Sequence, residues 1–435
     1  MQKLRMKLED FILNLSWEDL PEKTRQVTRL CVLDAIGCAI AGSRCDSLSA
    51  HVETIRNQGQ EGTSPIWGTN FSLTPGWSIF FNAHTTAYYD MDDGHRQAQG
   101  HPGAAIVPAA LTTAHQLKLS GKDFLEAVVV GYEVAIRSAL VIRNLGGPRK
   151  GSGGWTAVGA AAAAARLMGC SRTQVLHAIG LAEYYAPQAP QDRSVAFPSD
   201  MKEGLPWGAY SGFTSAQLAS SGFRGMQPHL TDASFSEDLG DIYEIENTYF
   251  KTYACCRWAH PALDGLKRML TEQPVAVDEI REIRVHSFEK SILMNRSNPG
   301  TVMEAIYSIP YALGCFLIHG KLGPQQLSVE NLQNQKISAL ARRVKMIADP
   351  ALTARFPEQC LQRIEVDFKN GGSYHGPLLS AKGDPDNPFL EEELIGKFNG
   401  LIEGILDPRA QRIPALIKEL ERHPVADLVT LLKPR

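Results

Sequence analysis

The chain has no C-x-x-C pair. Its eight cysteines stand scattered at 31, 38, 45, 170, 255, 256, 315 and 360 of 435 residues, so neither a thioredoxin-type pair nor a zinc-ribbon spacing is available. At this length a core forms without disulfide staples, and the expectation is a reduced, cytoplasmic protein. No apolar run reaches the roughly 18 residues that span a bilayer. The opening MQKLRMKLEDFILNLSWEDLP spaces its apolar residues with charges, as on one helix face and not as in a secretory leader. Positive charge is not in excess either: 44 Lys and Arg face 47 Asp and Glu, so nothing marks a nucleic-acid or anionic-membrane partner. There is no calcium-loop spacing, no helical His pair at i, i+4 and no internal repeat.

What is present is helical pattern, then a change of texture. TRQVTRLCVLDAIGCAIAG (24–42), GAAIVPAALTTAHQLKLSG (103–121) and GKDFLEAVVVGYEVAIRSALVI (121–142) place apolar residues three and four apart. Six consecutive alanines at 160–165 predict a helix that lets its neighbours approach closely, and hence a central one. Near residue 275 the period drops to two. VDEIREIRVHSF (277–288) reads as a strand, and RIEVDFKNGGSYHG (363–376) as a strand turning at Asn-Gly-Gly. KGDPDNP (382–388) reads as a linker, after which helix returns. The predicted fold is mostly α: a large all-helical domain from residues 1–247 plus 391–435, with a smaller α+β domain, 248–390, inserted.

The chemistry concentrates in a few stretches. YYDMDDGHRQAQGHPGAA (88–105) holds Asp90, Asp92, Asp93, His95 and His101, which reads as a metal site, a proton-transfer site or a solvated turn. Neighbouring aspartates point different ways on a regular backbone and the chain offers no recognised ligand spacing, so metal is the weaker reading. His101 precedes Pro-Gly at a helix start, where the helix dipole favours a neutral imidazole suited to a general base. SDMKEGLPWGAYSG (199–212) sets Lys202 in a Gly/Pro turn, where the ordinary role is surface charge. YFKTYACCRWAHPALDG (249–265) crowds Lys251, Cys255, Cys256, Arg257 and His260 among aromatics, a setting for a carboxylate-bearing ligand. Glu133 and Arg137 form an i, i+4 pair, most simply a salt bridge. KGSGGWTAVG (150–159) lacks the Lys-Ser/Thr ending of a phosphate loop.

Taken in order, LDAIGCAIAG, DMDDGHRQAQGHPGAAIVPAAL, GAAAAAARLMG, MKEG, YFKTYACCRWAHPALD, NPGTVMEAIYSIPYAL and KGDPDNP resemble the landmarks of the MmgE/PrpD family over nearly the whole chain. That family includes 2-methylcitrate dehydratases, cis-aconitate decarboxylases and iminodisuccinate epimerases. The resemblance implies a helical domain with an α+β lid, a homodimer, no metal or cofactor, and a site in the cleft between body and lid. It carries over Asp90, His101, Lys202, Lys251 and Tyr311 as catalytic residues. His95, Cys256, Arg257 and His260 are expected to bind substrate. The chain departs from the family at three places. Gly94-His95 replaces the usual Thr-Trp, residues 148–159 hold no histidine, and Cys256 stands where some decarboxylases carry histidine; together these mark a divergent subgroup.

The expected activity is a cofactor-independent lyase reaction on a small di- or tricarboxylate, by proton abstraction next to a carboxylate as in 2-methylcitrate dehydratase. The alternatives are a decarboxylase, an epimerase or isomerase in the same fold, and a non-catalytic carboxylate-binding protein. In each enzymatic case negative charge builds beside a carboxylate, and Lys202 and Lys251, with Arg257, are the groups to offset it. Lys202→Ala should therefore stay folded by circular dichroism while kcat falls roughly 10²–10³-fold; wild-type turnover of the true substrate by the folded variant would remove Lys202 from the mechanism.

Overall fold

Small residues decide how the first half of the chain packs. The computed structural model describes residues 6–147, 149–232 and 238–435; the first five residues of the opening segment and Pro148, both read above, lie outside these. Helix α1 (Glu22–Gly42) is buried on all sides from Cys31 onward, where Ala, Gly, Cys and Ile alternate around a lone Asp34. Helix α2 (Pro75–Ala87) crosses it at Gly42, so closely that a β-carbon there would lie 1.9 Å from the Thr85 carbonyl oxygen. Next come β1 (Gly94–His95), α3 (Gly103–Gln116), α4 (Gly121–Asn144) and α5 (Gly153–Leu167). Ser120 starts α4 with a capping box: its Oγ accepts the Asp123 N–H, and the Asp123 carboxylate accepts the Ser120 N–H. The six alanines of α5 are fully buried. The helix packs against α4, α6 (Arg172–Tyr185) and α7 (Leu205–Ser220), the central place its composition predicts. Glu133 and Arg137 pair on α4 at 3.3 Å, and Glu133 also accepts the Ile245 N–H.

Strand β2 (Thr248–Tyr249) pairs antiparallel with β1, opposing Gly94 to Tyr249 and His95 to Thr248. After α8 (His260–Glu272) comes β3 (Ile280–Ser287). It is followed by α9 (Ile309–His319), β4 (Val344–Ala348), β5 (Arg363–Phe368) and β6 (Ser373–His375). The sheet order is β4-β3-β5-β6, with β4 parallel to β3 and the other pairs antiparallel. In β5 the apolar Ile364, Val366 and Phe368 are buried and the charged residues between them are not, the period-two pattern read from the sequence. The hairpin turn forms where expected, with Gly371 left-handed at φ +87°. The short edge strand β4 was not legible, because VKMIA carries no full alternation. Helix α10 (Glu391–Ile402) returns to pack on α1.

The apolar core does not part at residue 248. One cluster runs from Cys38 and Phe81 through Tyr253 and Leu263 to Ile283 and Val366. The expected linker is an anchor instead: Asp384 is buried and holds two arginines, Arg96 and Arg257. Among the described residues no helix is long and apolar enough to cross a membrane.

The close crossing of α4 and α5 is testable. A β-carbon at Gly159 would sit 2.2 Å from the Gly131 carbonyl oxygen, whereas one at Gly396 on α10 meets nothing within 4 Å. Gly159→Ala should therefore lose about 1–3 kcal/mol or more, and Gly396→Ala should gain about 0.5–1 kcal/mol, read from urea midpoints. Equal small shifts at both positions would show that the crossing yields.

Candidate active site

The loop leaving α2 turns at Asp90, whose backbone is left-handed at φ +55°, a conformation aspartate tolerates better than most residues. This aims the carboxylate inward, where it is 1% exposed. Lys251 donates to its Oδ1, and Lys202 Nζ lies 3.4 Å from its Oδ2. His101 stands beside the pair, with Nε2 3.7 Å from Asp90 Oδ1 and Nδ1 3.3 Å from Lys251 Nζ. Asp92 faces the same imidazole, its Oδ2 3.2 Å from His101 Nδ1. Asp93 shapes the loop, accepting the Gly103 N–H at 3.0 Å and the Tyr132 hydroxyl at 2.5 Å. Asp90 and Asp92 thus converge on His101, and Asp93 alone turns away, to Gly103 and Tyr132.

Lys202 reaches Asp90 through backbone strain. Lys202, Glu203 and Gly204 are all left-handed, at φ +42°, +56° and +76°, and each non-glycine residue so placed costs about 1–2 kcal/mol. The turn is pressed onto the 151–153 segment: a β-carbon at Gly153 would lie 2.1 Å from the Gly204 carbonyl oxygen. The glycines of KGSGG serve this approach. Ser152 locks the turn by donating its Oγ to Glu203 at 2.6 Å, while accepting the His101 N–H at 3.2 Å. Beneath the loop, Lys397 of α10 donates to Asp34 of α1 and to the Met91 carbonyl, both at 2.6 Å.

The electrostatics follow from these contacts. Burial alone would raise the Asp90 carboxyl, but Lys202, Lys251 and His101 outweigh it and hold Asp90 well below the usual carboxylate range. Asp92 is lowered against its burial, by His101 and Lys251. Burial would lower Lys251, yet Asp90 and Asp92 carry it above the ordinary lysine value. His101 differs from the sequence expectation. Burial and Lys251 push it down, but Asp92 and Asp90 push harder, and the net shift is upward. The two carboxylates outweigh burial and the neighbouring ammonium. Asp93 is pushed up to about 7 by burial and by Asp34.

Asp90, Asp92 and His101 each offer an atom within 4.8 Å of the others, a spacing that would suit a metal ion. The Asp90 oxygens already serve two ammonium groups, so an entering metal would have to displace a buried lysine.

The structure joins Asp90, His101, Lys202 and Lys251. It does not join Tyr311 to them: that side chain is buried in the apolar core of α9, with Cys315 one turn on as its polar neighbour. Tyr307, four residues earlier and missed in the sequence, lies under Lys202, whose Nζ is 5.1 Å from the ring centroid. His95 is a staple, with Nδ1 accepting the Ala98 N–H and Nε2 3.4 Å from Glu244. Arg257 donates to the carbonyls of Lys382 and Ala381 and to Asp384. His260 is fully buried, its Nε2 3.1 Å from the Cys255 carbonyl. Cys256 lines a cleft with His101, Glu203, Tyr249, Trp258 and Phe356; the cleft encloses about 50 Å³. A larger groove of about 910 Å³ is lined by Met91 and Lys397, but not by Asp90, His101, Lys202 or Lys251.

The chain belongs to the MmgE/PrpD family: the N-terminal domain of that family matches residues 6–236 and its C-terminal domain residues 253–422. It is 24% identical to the cis-aconitate decarboxylase-like protein oryM of Aspergillus oryzae, over 98% of this chain and 96% of that protein. It is 23% identical to a cis-aconitate decarboxylase of Aspergillus terreus, over 97% and 93% of the two chains. To a 2-methylcitrate dehydratase of Salmonella typhi it is 23% identical, over 84% and 82%.

Asp93 gives the site a measurable pH signature. Its carboxyl ionises near pH 4 when unfolded and near 7 when folded. Between those values the folded state holds a proton that the unfolded state has released, so Asp93 makes stability fall as pH rises from about 4 to about 7. Asp93→Asn should remove this slope, and the variant's Tm relative to wild type should climb between pH 5 and pH 8. Parallel Tm curves would mean that Asp93 is already ionised at pH 5.

Proposed function

We propose that the chain is a lyase of small di- or tricarboxylates, working without metal or organic cofactor, and that it eliminates water next to a carboxylate. The observation that carries this reading is Asp90 held between Lys202 and Lys251 with His101 on the same carboxylate. Removing a proton beside a carboxylate builds a second negative charge on that group. Two buried ammoniums, already oriented, stabilise such charge without reorganising at the moment of reaction. In the elimination, neutral His101 takes the proton from carbon, the electron pair forms the C=C bond, and the C–O bond breaks. The hydroxide leaves as water with a proton from a second donor in the cleft.

A second reading, decarboxylation, is favoured by the raised pKa of His101. There the C–C bond to a carboxylate breaks and CO2 leaves. The electron pair stays on carbon, conjugated with the neighbouring carboxylate, and the imidazolium supplies the proton. The longer alignments to the cis-aconitate decarboxylase relatives support the same route.

The two readings differ in the sign of a pH profile. If His101 is the base, the rate rises with pH through a pKa above about 6.5 and then levels; if it is the donor, the rate falls through the same pKa. Proton NMR in D2O with 2-methylcitrate, cis-aconitate and related acids reads the rate and the chemistry together. Alkene formation marks elimination, loss of a carboxylate marks decarboxylation, and deuterium exchange without net loss marks epimerisation. No conversion of any polycarboxylate would refute the lyase reading.

A further inference from the structure

Gly94 and Tyr249 face each other across the short β1–β2 ladder, and the tyrosine occupies the space that a side chain at 94 would take. A β-carbon on Gly94 would lie 2.4 Å from both Cζ and Oη of Tyr249, so the hydroxyl end of the ring rests directly over the glycine. Any other residue at 94 would push the phenol away. The ring is held from elsewhere as well. The Arg257 guanidinium lies over it, 4.9 Å from the centroid, and is itself fixed by the Lys382 and Ala381 carbonyls and by Asp384.

This rigid phenol has no task inside the protein. Tyr249 is 7% exposed and lines the cleft beside His101, Glu203 and Cys256. Its hydroxyl makes no hydrogen bond to any described residue, and it is not among the polar atoms sealed away from the cleft. His95, which follows Gly94, is committed to Ala98 and Glu244. Both residues of the pair bear on the cleft: His95 lines it directly, and Gly94 leaves room for the Tyr249 ring that lines it too.

We propose that Tyr249 contacts the substrate, its hydroxyl donating a hydrogen bond to an oxygen of the carboxylic acid bound beside His101, and that Gly94 is the residue that admits it. This rests on the carboxylate-lyase reading and adds a specificity element to it. A neutral donor fixed on a rigid ring selects for an acid with an oxygen at that point and against one without it, because the unmatched hydroxyl is then left unpaired.

Tyr249→Phe removes the hydroxyl and keeps the ring, with its contacts to Gly94 and Arg257. For whichever acid of the NMR panel the wild type converts, kcat/KM should fall about 10–100-fold, with Tm unchanged. A role confined to packing would leave kcat/KM where it is, and that result overturns the proposal while the lyase reading stands. A wild type inert toward the whole panel removes the lyase reading and this proposal with it. The geometry of the pair is tested without activity. Gly94→Ala should destabilise the wild type clearly and a Tyr249→Ala background little, a non-additive pair of Tm shifts; additive shifts would show that Gly94 does not make room for the ring and overturn its part.

Discussion

A carboxylate removed from water must be neutralised, and in this protein the Asp90 carboxylate is neutralised by two ammoniums that are themselves removed from water. Each of the three is expensive alone. Taking one partner from a buried ion pair typically costs about 3–5 kcal/mol, because the remaining charge is stranded. The loop at 90, the turn at 202 and the segment at 251 must therefore arrive together. Much of the surrounding structure serves that meeting: the left-handed run at 202–204, the Ser152–Glu203 bond behind it, and the Lys397–Asp34 pair that grips the loop from below. The same clamp leaves positive charge organised around a single point.

What was legible in the sequence follows from how local each signal is. The buried alanine helix, the Ser120 capping box and the alternation in RIEVDF are carried by residues within one or two turns, and they appear as read. Lys202 could be singled out by resemblance, but not the direction of its ammonium, which depends on a φ of +42° that no local composition encodes. In YSIPY the ring beside Lys202 is Tyr307, four residues before Tyr311 and outside the helix that carries it. Asp34 and Lys397 are 363 residues apart, and neither stretch hints at the other. His101 was read from its place before a helix, whereas its charge state is set by two aspartates whose directions only the folded loop defines.

The chain's departures from its family also acquire physical content. The segment at 148–159, without a histidine, contributes Ser152, which joins the backbone of His101 to Glu203. Cys256 lines the cleft with a thiol that burial, above all, keeps protonated. Gly94 yields its space to an aromatic ring.

The cleft itself carries a kinetic consequence. At about 50 Å³ it is several times smaller than the roughly 300 Å³ from which small-molecule sites begin, so an acid of the proposed size enters it only when the walls move. Passage requires the walls to part, and one wall is tied by Asp384, which bridges Arg96 and Arg257. Binding is then gated: at high ligand concentration its rate levels off at the frequency of opening, and turnover inherits that ceiling whenever product has to leave by the same route. The residues that govern such traffic form a set separate from those that touch the reacting carbon, and they lie in the segment whose composition had looked like a mere connection.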